Sequence, residues 1–316
     1  MPPLTVPPRS PFVTFMNFPL ASDLDRLDAH VAIIGMPYGD PYSIDEVTND
    51  QTNAPTAVRR ASERISQGLD RWDFDIGGTL FDGKDIKVVD VGDVPGVARD
   101  LSGHYRRAEA TIRKILKAGA LPVTIGGDHG VPIPVFRAFS EHGPVTLIHL
   151  DAHLDWRDEV HGEKYGWSSP MRRASEMPWI RRMVQVGLRG IGSARAEEVA
   201  DARAWGSRLV PAADVHRHGI ARVLDMVDAD ANCLVTLDCD GIDPSVLPAV
   251  LGRAPGGLLY WQVLELLAGL AAKCRIVGFD LVEFMPSRDT TGISALTAAR
   301  LVCNAIAAIA TSQKRG

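Results

Sequence analysis

Short apolar runs alternate with amphipathic segments from about residue 30 to the end of the chain. The runs are continuously apolar and rich in β-branched side chains, which is typical of strands buried on both faces. They predict strands at 30–36, 86–92, 121–125, 145–150, 183–188, 232–237 and 275–280, with a further short strand near 208–210. Such strands separated by helices predict an α/β fold, with a mostly parallel central sheet covered on both faces.

Three of the helical segments have recognisable features. One opens at Asn53, the predicted N-cap, with Pro55 in its first turn. Another spans about 104–118. The segment 293–310 is strongly apolar but interrupted by polar residues, which indicates a helix packed in the core rather than a membrane span.

Two stretches of the chain lack this regular pattern. Residues 1–29 are rich in proline and predict an irregular arm, lying on the body of the protein or on a neighbouring subunit. Residues 38–52 form a long polar loop of the kind found on the substrate side of enzymes. Since no linker, repeat or low-complexity tract divides the chain, we expect a single domain over 1–316.

Composition and charge exclude several classes of protein. The chain of 316 residues is 46% hydrophobic and 23% charged, as in soluble globular proteins. Its net charge of -5 argues against nucleic acid as a partner, because phosphate binding requires a basic surface. The four cysteines lack CxxC pairing and are expected to be buried, reduced thiols. The amino terminus lacks the apolar stretch of a signal peptide, so we expect a cytoplasmic protein without membrane contact.

Three of the predicted strands end in side chains that can bind metal ions. The strand at 121–125 leads into a Gly-Gly-Asp-His motif that ends at His129. The strand at 145–150 is followed by Asp-Ala-His-Leu-Asp, and the strand at 232–237 by Asp-Cys-Asp. Residues two apart on a strand share a face, and the carboxyl ends of parallel strands meet at one edge of the sheet. The side chains expected to converge there are His129, Asp151, His153, Asp155, Asp238 and Asp240.

Each motif has a simpler explanation when it is taken alone. A Gly-Gly-Asp-His sequence is usually a turn between strand and helix, and Asp-x-Asp before Asp-Pro is common in turns and helix caps. Asp-x-His-x-Asp directly after a buried strand is harder to explain, because uncompensated carboxylates at the end of a core strand are costly. The three motifs together favour a metal centre.

The charge of this cluster indicates which metal ions it would hold. Four carboxylates and two neutral imidazoles carry about four negative charges, which two divalent cations would neutralise. The ligands are rich in oxygen and include no thiolate, which suits Mn²⁺ better than a structural zinc site. A centre with two ions about 3.5–4 Å apart lowers the pKa of a water molecule, as a hydrolase requires.

The order of the motifs Gly-Gly-Asp-His, Asp-Ala-His-x-Asp and Asp-x-Asp-x-x-Asp-Pro resembles the ureohydrolases, the family of arginase, agmatinase and related amidinohydrolases. The resemblance covers nearly the whole chain, from Gly35 to Ser294. It implies a three-layer α/β/α fold with two Mn²⁺ ions per chain. The implied reaction is hydrolysis of a small-molecule guanidino substrate to urea and an amine. The resemblance also implies a homo-oligomer, either a trimer or a hexamer.

The resemblance assigns roles to individual residues of this sequence. It implies that the six converging side chains are the metal ligands, with Asp155 and Asp238 among the bridging carboxylates and Asp155 also catalytic. Glu283 follows the last strand and matches the family's glutamate that pairs with the guanidinium, where a carboxylate can accept two parallel hydrogen bonds. A solvated loop carboxylate is the alternative for Glu283.

Two segments depart from the family's pattern. Trp167 stands where family members carry a histidine thought to pass a proton to the departing amine. Since indole cannot donate this proton at neutral pH, His161 or Glu163 in the same loop could substitute. The loop at 247–257 also differs, and its Arg253 would repel an amine tail and attract a carboxylate tail. We place Trp167 and Arg253 with Glu283 among the substrate-binding residues, although an outward-facing surface arginine is an equal alternative.

Two classes of function follow from these residues. The first is an Mn²⁺-dependent amidinohydrolase acting on agmatine or a related guanidino amine or acid. The second is a metal-binding but catalytically weak relative that serves as a structural or regulatory subunit. A histone-deacetylase-like hydrolase is a more distant alternative, because the single-metal pattern of those enzymes would not use His129.

Overall fold

The apolar runs form an eight-stranded sheet in the computed structural model, which describes residues 13–39, 42, 50–97, 99–192 and 194–313. Every pair of neighbouring strands is parallel, and most strand residues are buried, as continuously apolar strands require. The strands are β1 (Val31–Met36), β2 (Val88–Asp93), β3 (Leu121–Gly126), β4 (Val145–Leu150), β5 (Ile180–Leu188), β6 (Arg208–Pro211), β7 (Asn232–Asp238) and β8 (Arg275–Val282).

The order of the strands brings the chemically reactive segments together. The order across the sheet is β2-β1-β3-β8-β7-β4-β5-β6, so that β3, β8, β7 and β4 are consecutive neighbours in its middle. The Gly-Gly-Asp-His motif follows β3, Glu283 follows β8, Asp238 ends β7 and Asp151 follows β4. All four segments therefore leave the sheet at the same edge, where open α/β sheets place their ligand sites.

Helices cover both faces of the sheet. The α-helices of the described residues are α1 (Ala54–Ser66), α2 (Leu101–Lys117), α3 (Pro132–Ala138), α4 (Pro170–Ser175), α5 (Ala196–Trp205), α6 (Ala212–His218), α7 (Ala221–Leu224), α8 (Tyr260–Lys273) and α9 (Ile293–Ser312). Helices α1, α8 and α9 pack on one face of the sheet, and the helices on the other face include α2, α3 and α4.

Two hydrophobic cores result, one on each side of the sheet. Val31 and Ile33 of β1 point into the core with α9, whereas Ala32 and Ile34 point into the core with α2. Helix α9 is long and apolar enough to cross a membrane by length and composition. Since 78% of its most apolar window is buried inside the protein, it serves here as a core helix, as its sequence predicts.

The predicted α/β fold is confirmed, with differences at the ends of elements. All eight predicted strands form, although β2 begins at Val88 and β5 already at Ile180. The second helix begins at Leu101 rather than near 104, because the Asp100 side chain accepts a hydrogen bond from the backbone of Gly103 and caps it. Pro55 lies in the first turn of α1 as predicted, but Asn53 makes no capping hydrogen bond through its side chain.

The irregular segments differ in how much of them the structure describes. Within the predicted arm, residues 13–29 lie on the body of the protein, where Phe15 and Phe18 join the core beside α1. Residues 1–12 of the arm and 40–41 and 43–49 of the predicted substrate-side loop lie outside the described residues. All four cysteines are buried thiols that form no disulfide, as their spacing predicts.

Candidate metal centre

The carboxyl ends of the central strands surround a small cavity. Its volume is about 170 Å³, and it lies between the strand ends and the segments 167–168 and 251–252. The lining residues are His129, His153, Asp155, Trp167, Ser168, Asp238, Asp240, Leu251, Gly252 and Glu283. Five of the six predicted metal ligands therefore face this cavity, and the sixth, Asp151, lies buried beneath them.

A first group of metal-capable atoms surrounds the ring of His129. Its Nδ1 lies 3.0 Å from one carboxylate oxygen of each of three residues, Asp151, Asp155 and Asp238. One imidazole nitrogen can donate to only one of these oxygens at a time. The arrangement of a nitrogen and three oxygens facing a common point is instead what a divalent cation requires.

A second group lies around the ring of His153. Its Nδ1 is 3.1 Å from Oδ2 of Asp240 and 3.4 Å from Oδ1 of Asp151. Asp151 thus belongs to both groups, with Oδ2 directed to the first and Oδ1 to the second. The expectation that Asp155 bridges the two ions does not fit this geometry, because Asp155 contacts His129 and belongs to the first group alone.

The reason for this difference is that the strands end earlier than strict alternation assumes. Strand β4 stops at Leu150, and the chain then turns, reaching Asp155 with a left-handed φ of 51°. Strand β7 likewise ends at Asp238, whose Oδ1 accepts a hydrogen bond of 2.7 Å from the backbone of Asp240 in a short 3₁₀ turn. The aspartates converge through these turns and not through a shared strand face.

Close approach to the cluster requires glycine at two places. A Cβ at Gly127 would lie 2.6 Å from the carbonyl carbon of Tyr38, so the turn before His129 tolerates no side chain. A Cβ at Gly252 would lie 2.8 Å from Cε1 of His153 and 2.9 Å from Oδ2 of Asp240. The loop at 247–257 therefore packs directly against the second group.

A hydrogen-bond chain beneath the cluster orients the ring of His129. The Thr236 hydroxyl donates to Oδ1 of buried Asp280 at 2.5 Å, so its oxygen accepts from Nε2 of His129 at 3.2 Å. With one hydrogen on Nε2, Nδ1 faces the three carboxylates. These hold the pKa of His129 well above its ordinary value despite its burial, so Nδ1 carries a proton that a bound cation would replace. Metal-binding histidines are commonly oriented in this way by a second hydrogen bond.

The electrostatics of the cluster show that it fits cations. Burial, reinforced by Asp151, raises the pKa of the Asp155 carboxyl to about 7. Burial and the neighbouring carboxylates also raise the pKa values of Asp238 and Asp240. For Asp151, burial acts in the same direction, but contacts with His149, His129 and His153 outweigh it and hold its pKa well below the ordinary value. Buried carboxylates that repel one another in this way are stabilised by divalent cations.

Glu283 lies at the rim of the same cavity with a left-handed φ of 65°. Its Oε2 accepts a hydrogen bond of 2.9 Å from the Gln51 side chain, and its Oε1 accepts one of 2.8 Å from the backbone of His129. Burial and Asp128 raise the pKa of Glu283 to about 8. The carboxylate is therefore rigidly held, and the alternative of a solvated loop residue is excluded by its burial.

Trp167 forms one wall of the cavity. Its ring contacts that of Tyr42 edge to face, with 5.2 Å between centroids, and the phenol oxygen of Tyr42 accepts a hydrogen bond from the backbone of Ser168 at 3.0 Å. Tyr42 belongs to the long loop that the sequence places on the substrate side. The described part of that loop thus packs on the segment that carries Trp167.

Three further candidates lie outside the cavity. His161 is exposed in a turn with a φ of 51°, and Glu163 accepts a hydrogen bond from the backbone of Tyr165. Neither residue lines the cavity, so the geometry does not support the hypothesis that His161 or Glu163 passes a proton to the departing amine. Arg253 is exposed, and its Nε donates to the carbonyl of Pro248 at 2.6 Å. It is therefore an outward-facing surface arginine, which is the second of the two alternatives stated for it.

Sequence reasoning missed several residues that support the site. Thr236 could have been found, because it lies two residues before Asp238 on the same face of β7. Gln51 gives no such signal, since it is 232 residues from Glu283 in the chain. Arg189 was missed as well. Its guanidinium donates to the backbone carbonyls of Asp240 and Ala254 at 2.6 and 2.8 Å, and it thereby joins three loops around the cavity.

Comparison with known proteins agrees with this architecture. A family model described as "Arginase family" matches residues 29–308. Agmatinase from Gallus gallus mitochondria is 32% identical over 313 residues, covering 94% of this chain and 87% of that protein. Guanidinobutyrase from Pseudomonas aeruginosa is 33% identical over 287 residues, covering 89% of this chain and 86% of that protein. The structure of proclavaminate amidino hydrolase from Streptomyces clavuligerus superposes with a TM-score of 0.83 at 29% identity, covering 97% of this chain and 100% of that one.

The stability of the metal-free protein should fall as pH rises from 6 to 8, whereas stabilisation by Mn²⁺ should grow. The Asp155 pKa is about 7 in the fold against 3.8 ordinarily, so around neutrality the folded state holds a proton that the unfolded state has released. Despite its burial, Asp151 and Asp240 also raise the pKa of His153 to about 12. The stability that this contributes is complete below pH 6.5 and decreases as pH rises from 6.5 towards 12. Metal ions require both groups deprotonated.

The measurement is thermal unfolding with and without MnCl₂ at constant ionic strength. The increase in melting temperature caused by Mn²⁺ should be larger at pH 8 than at pH 6. An increase that is equal at both pH values, or larger at pH 6, would contradict a cluster that exchanges protons for cations.

Proposed function

The chain belongs to the arginase family, and from this premise we propose that it hydrolyses a small guanidino compound to urea and an amine with two Mn²⁺ ions bound. The observation that supports the proposal is the placement of Glu283 and the two metal-capable groups around one cavity. A carboxylate for the guanidinium and ligands for the cations are thus within reach of the same bound molecule.

The residues proposed to hold the ions are those that the geometry groups together. His129 and Asp155 would serve one ion, His153 and Asp240 the other, and Asp151 would be shared. Asp238 contacts the first group and is the second candidate for a shared ligand, as the resemblance implies. A pair of divalent cations supplies activated water at neutral pH.

Glu283 is proposed to bind and orient the guanidinium. Gln51 and the backbone of His129 each occupy one lone pair of its carboxylate, which leaves an acceptor site on both oxygens. The planar guanidinium can donate one hydrogen bond to each oxygen, in the bidentate geometry that arginine side chains use with carboxylates. A positive substrate also offsets the burial that raises the pKa of Glu283 to about 8.

The departing amine must receive a proton from a group in the cavity. Trp167 has no proton to give at neutral pH, and His161 lies outside the lining residues. We propose that the Asp155 carboxylate takes the proton released by the attacking water and returns it to the amine. Asp155 lines the same cavity as Glu283, the residue proposed to hold the guanidinium.

The tail attached to the guanidino group could be that of an amine or that of an acid. Agmatine is the default, and related guanidino acids are the other candidates, because relatives of both names match the chain at similar identity. Arg253 gives no reason to prefer an acid, since its side chain is directed to the Pro248 carbonyl. The wall that a tail would meet is formed by Trp167 and Leu251.

The alternative of a catalytically weak relative is not favoured. It rests on Trp167 alone, whereas Glu283 and both metal-capable groups are in place. A cytoplasmic location and a homo-oligomeric assembly, trimer or hexamer, stay predictions of the sequence.

Urea release from agmatine, guanidinobutyrate and arginine in the presence of Mn²⁺ tests the proposed reaction. We expect release from at least one of the three. Glu283→Gln should lower kcat/KM about 30-fold or more, since removing one partner of a buried charge pair costs about 2–5 kcal/mol. Glu265→Gln, on the exposed face of α8, is the matched control and should leave the rate unchanged. No urea from any guanidine, with two ions bound per chain, would favour the weak relative instead.

Trp167→His separates the two classes of function more sharply. If the protein is a weak relative that has lost its proton donor, the histidine should raise turnover by about 10²-fold or more. If Trp167 is a wall of a functional cavity, turnover should stay level or fall, and Trp167→Phe should be milder because it keeps an aromatic ring. The comparison of kcat for the three proteins on one substrate decides between these outcomes.

A further inference from the structure

A buried hydrogen-bond chain runs from the sheet interior to the shared ligand Asp151. His149 of β4 faces Gln185, its register partner on β5, with 3.1 Å between Nδ1 of the ring and Nε2 of the amide. The other ring nitrogen, Nε2, lies 2.8 Å from Oδ2 of Asp151. Ser207 continues the chain behind Gln185, and the four side chains are buried.

The side chain of His149 could have either of two roles. Its ring lies among metal-capable atoms with His129, Asp151 and Asp155, so it could be an additional metal ligand through Nε2. Alternatively, Nε2 carries a hydrogen and donates it to Asp151. A ring nitrogen that bears a hydrogen cannot bind a metal ion, so the tautomer of His149 decides between the two.

The partners of Gln185 determine that tautomer. The Ser207 hydroxyl donates to Oε1 of Gln185 at 2.9 Å, and the carbonyl of Leu154 accepts from Nε2 of Gln185 at 2.8 Å. A carbonyl can only accept, so the amide nitrogen must face Leu154. The second hydrogen of the same nitrogen then points to Nδ1 of His149, which must accept it through its lone pair.

With Nδ1 as acceptor, the hydrogen of the neutral ring is on Nε2. A doubly protonated ring is disfavoured as well, because its Nδ1–H would point at the amide hydrogens of Gln185. We propose that His149 is a positioning residue, not a metal ligand, and that it holds Asp151 in place by donating from Nε2 to Oδ2. Such donors to metal-binding carboxylates are known to affect metal affinity through the orientation of the ligand.

The consequence concerns both metal-capable groups at once. Oδ2 of Asp151 faces the first group, while Oδ1 faces the second and accepts a hydrogen bond of 2.6 Å from the backbone of His153. Two donors therefore fix the two oxygens of the shared carboxylate. Gln185 adds a further restraint through Leu154, which lies in the same turn just before Asp155.

This inference rests on the proposed two-ion centre, and metal binding tests it without reference to turnover. His149→Met fills similar space without a donor and should weaken the binding of Mn²⁺ about 10- to 100-fold, the usual effect of losing such a donor. His149→Gln can place an amide nitrogen near the position of Nε2 and should recover most of the affinity. Gln185→Met, which frees the ring to change tautomer, should weaken binding in the same direction.

Two controls separate positioning from damage to the fold. His104→Met replaces another buried histidine, on α2 outside the metal-capable groups, and should leave Mn²⁺ affinity unchanged. The melting temperatures of all metal-free variants show whether the chain still folds. Titration calorimetry gives both the affinity and the number of ions bound per chain, which should stay at two for the wild type and the His149→Gln variant.

A spectroscopic measurement on the wild-type protein tests the tautomer directly. In long-range ¹H–¹⁵N spectra of protein labelled in histidine, His149 should show a protonated Nε2 and an unprotonated Nδ1, both before and after loading with diamagnetic Zn²⁺. A shift of Nε2 to the metal-bound range on loading would overturn the proposal, as would a His149→Met variant that binds two ions with wild-type affinity. A wild-type protein that binds no divalent cation would instead refute the proposed function itself.

Discussion

Repulsion among buried carboxylates at the ends of β4 and β7 is the constraint on which the rest of the site depends. Asp151, Asp155, Asp238 and Asp240 are almost fully buried, and burial together with their mutual repulsion raises the pKa values of Asp155, Asp238 and Asp240. A fold gains nothing from such a cluster by itself, because each buried charge is costly without compensation. Divalent cations offer that compensation, and the positions of His129 and His153 complete the two sets of ligands.

The parallel sheet makes this concentration of charge possible. Its order places β3, β8, β7 and β4 side by side, so segments from distant parts of the sequence leave the sheet at one edge. Interactions outside the cluster then hold the ligands in register. Thr236 and Asp280 orient His129 from below, and Arg189 joins the loops around Asp240 through their carbonyls. The cavity is thus built by the sheet and adjusted by residues that never line it.

Much of this could be predicted from the sequence, and the failures have physical causes. Apolar runs predict the strands well because strands buried on both faces carry a strong pattern. The six cluster residues were predicted from the same strand ends, but their pairing was not, because strict alternation ignores the turn that follows Leu150 and gives Asp155 a left-handed φ. Gln51 and Gln185 depend on sheet register and long-range packing, which a local pattern does not contain. His161 and Arg253 were chosen by their chemistry alone, and the structure directs both to the surface.

We propose that the aspartate and histidine cluster binds two divalent cations that share Asp151. Anomalous diffraction from crystals grown with MnCl₂ near neutral pH would locate these ions. We expect two manganese peaks about 3.5–4 Å apart, as in other two-metal sites. One should lie beside His129 and Asp155, the other beside His153 and Asp240, with the Asp151 carboxylate between them. A single peak, or two peaks with Asp151 bound to only one of them, would contradict a two-ion centre built on Asp151.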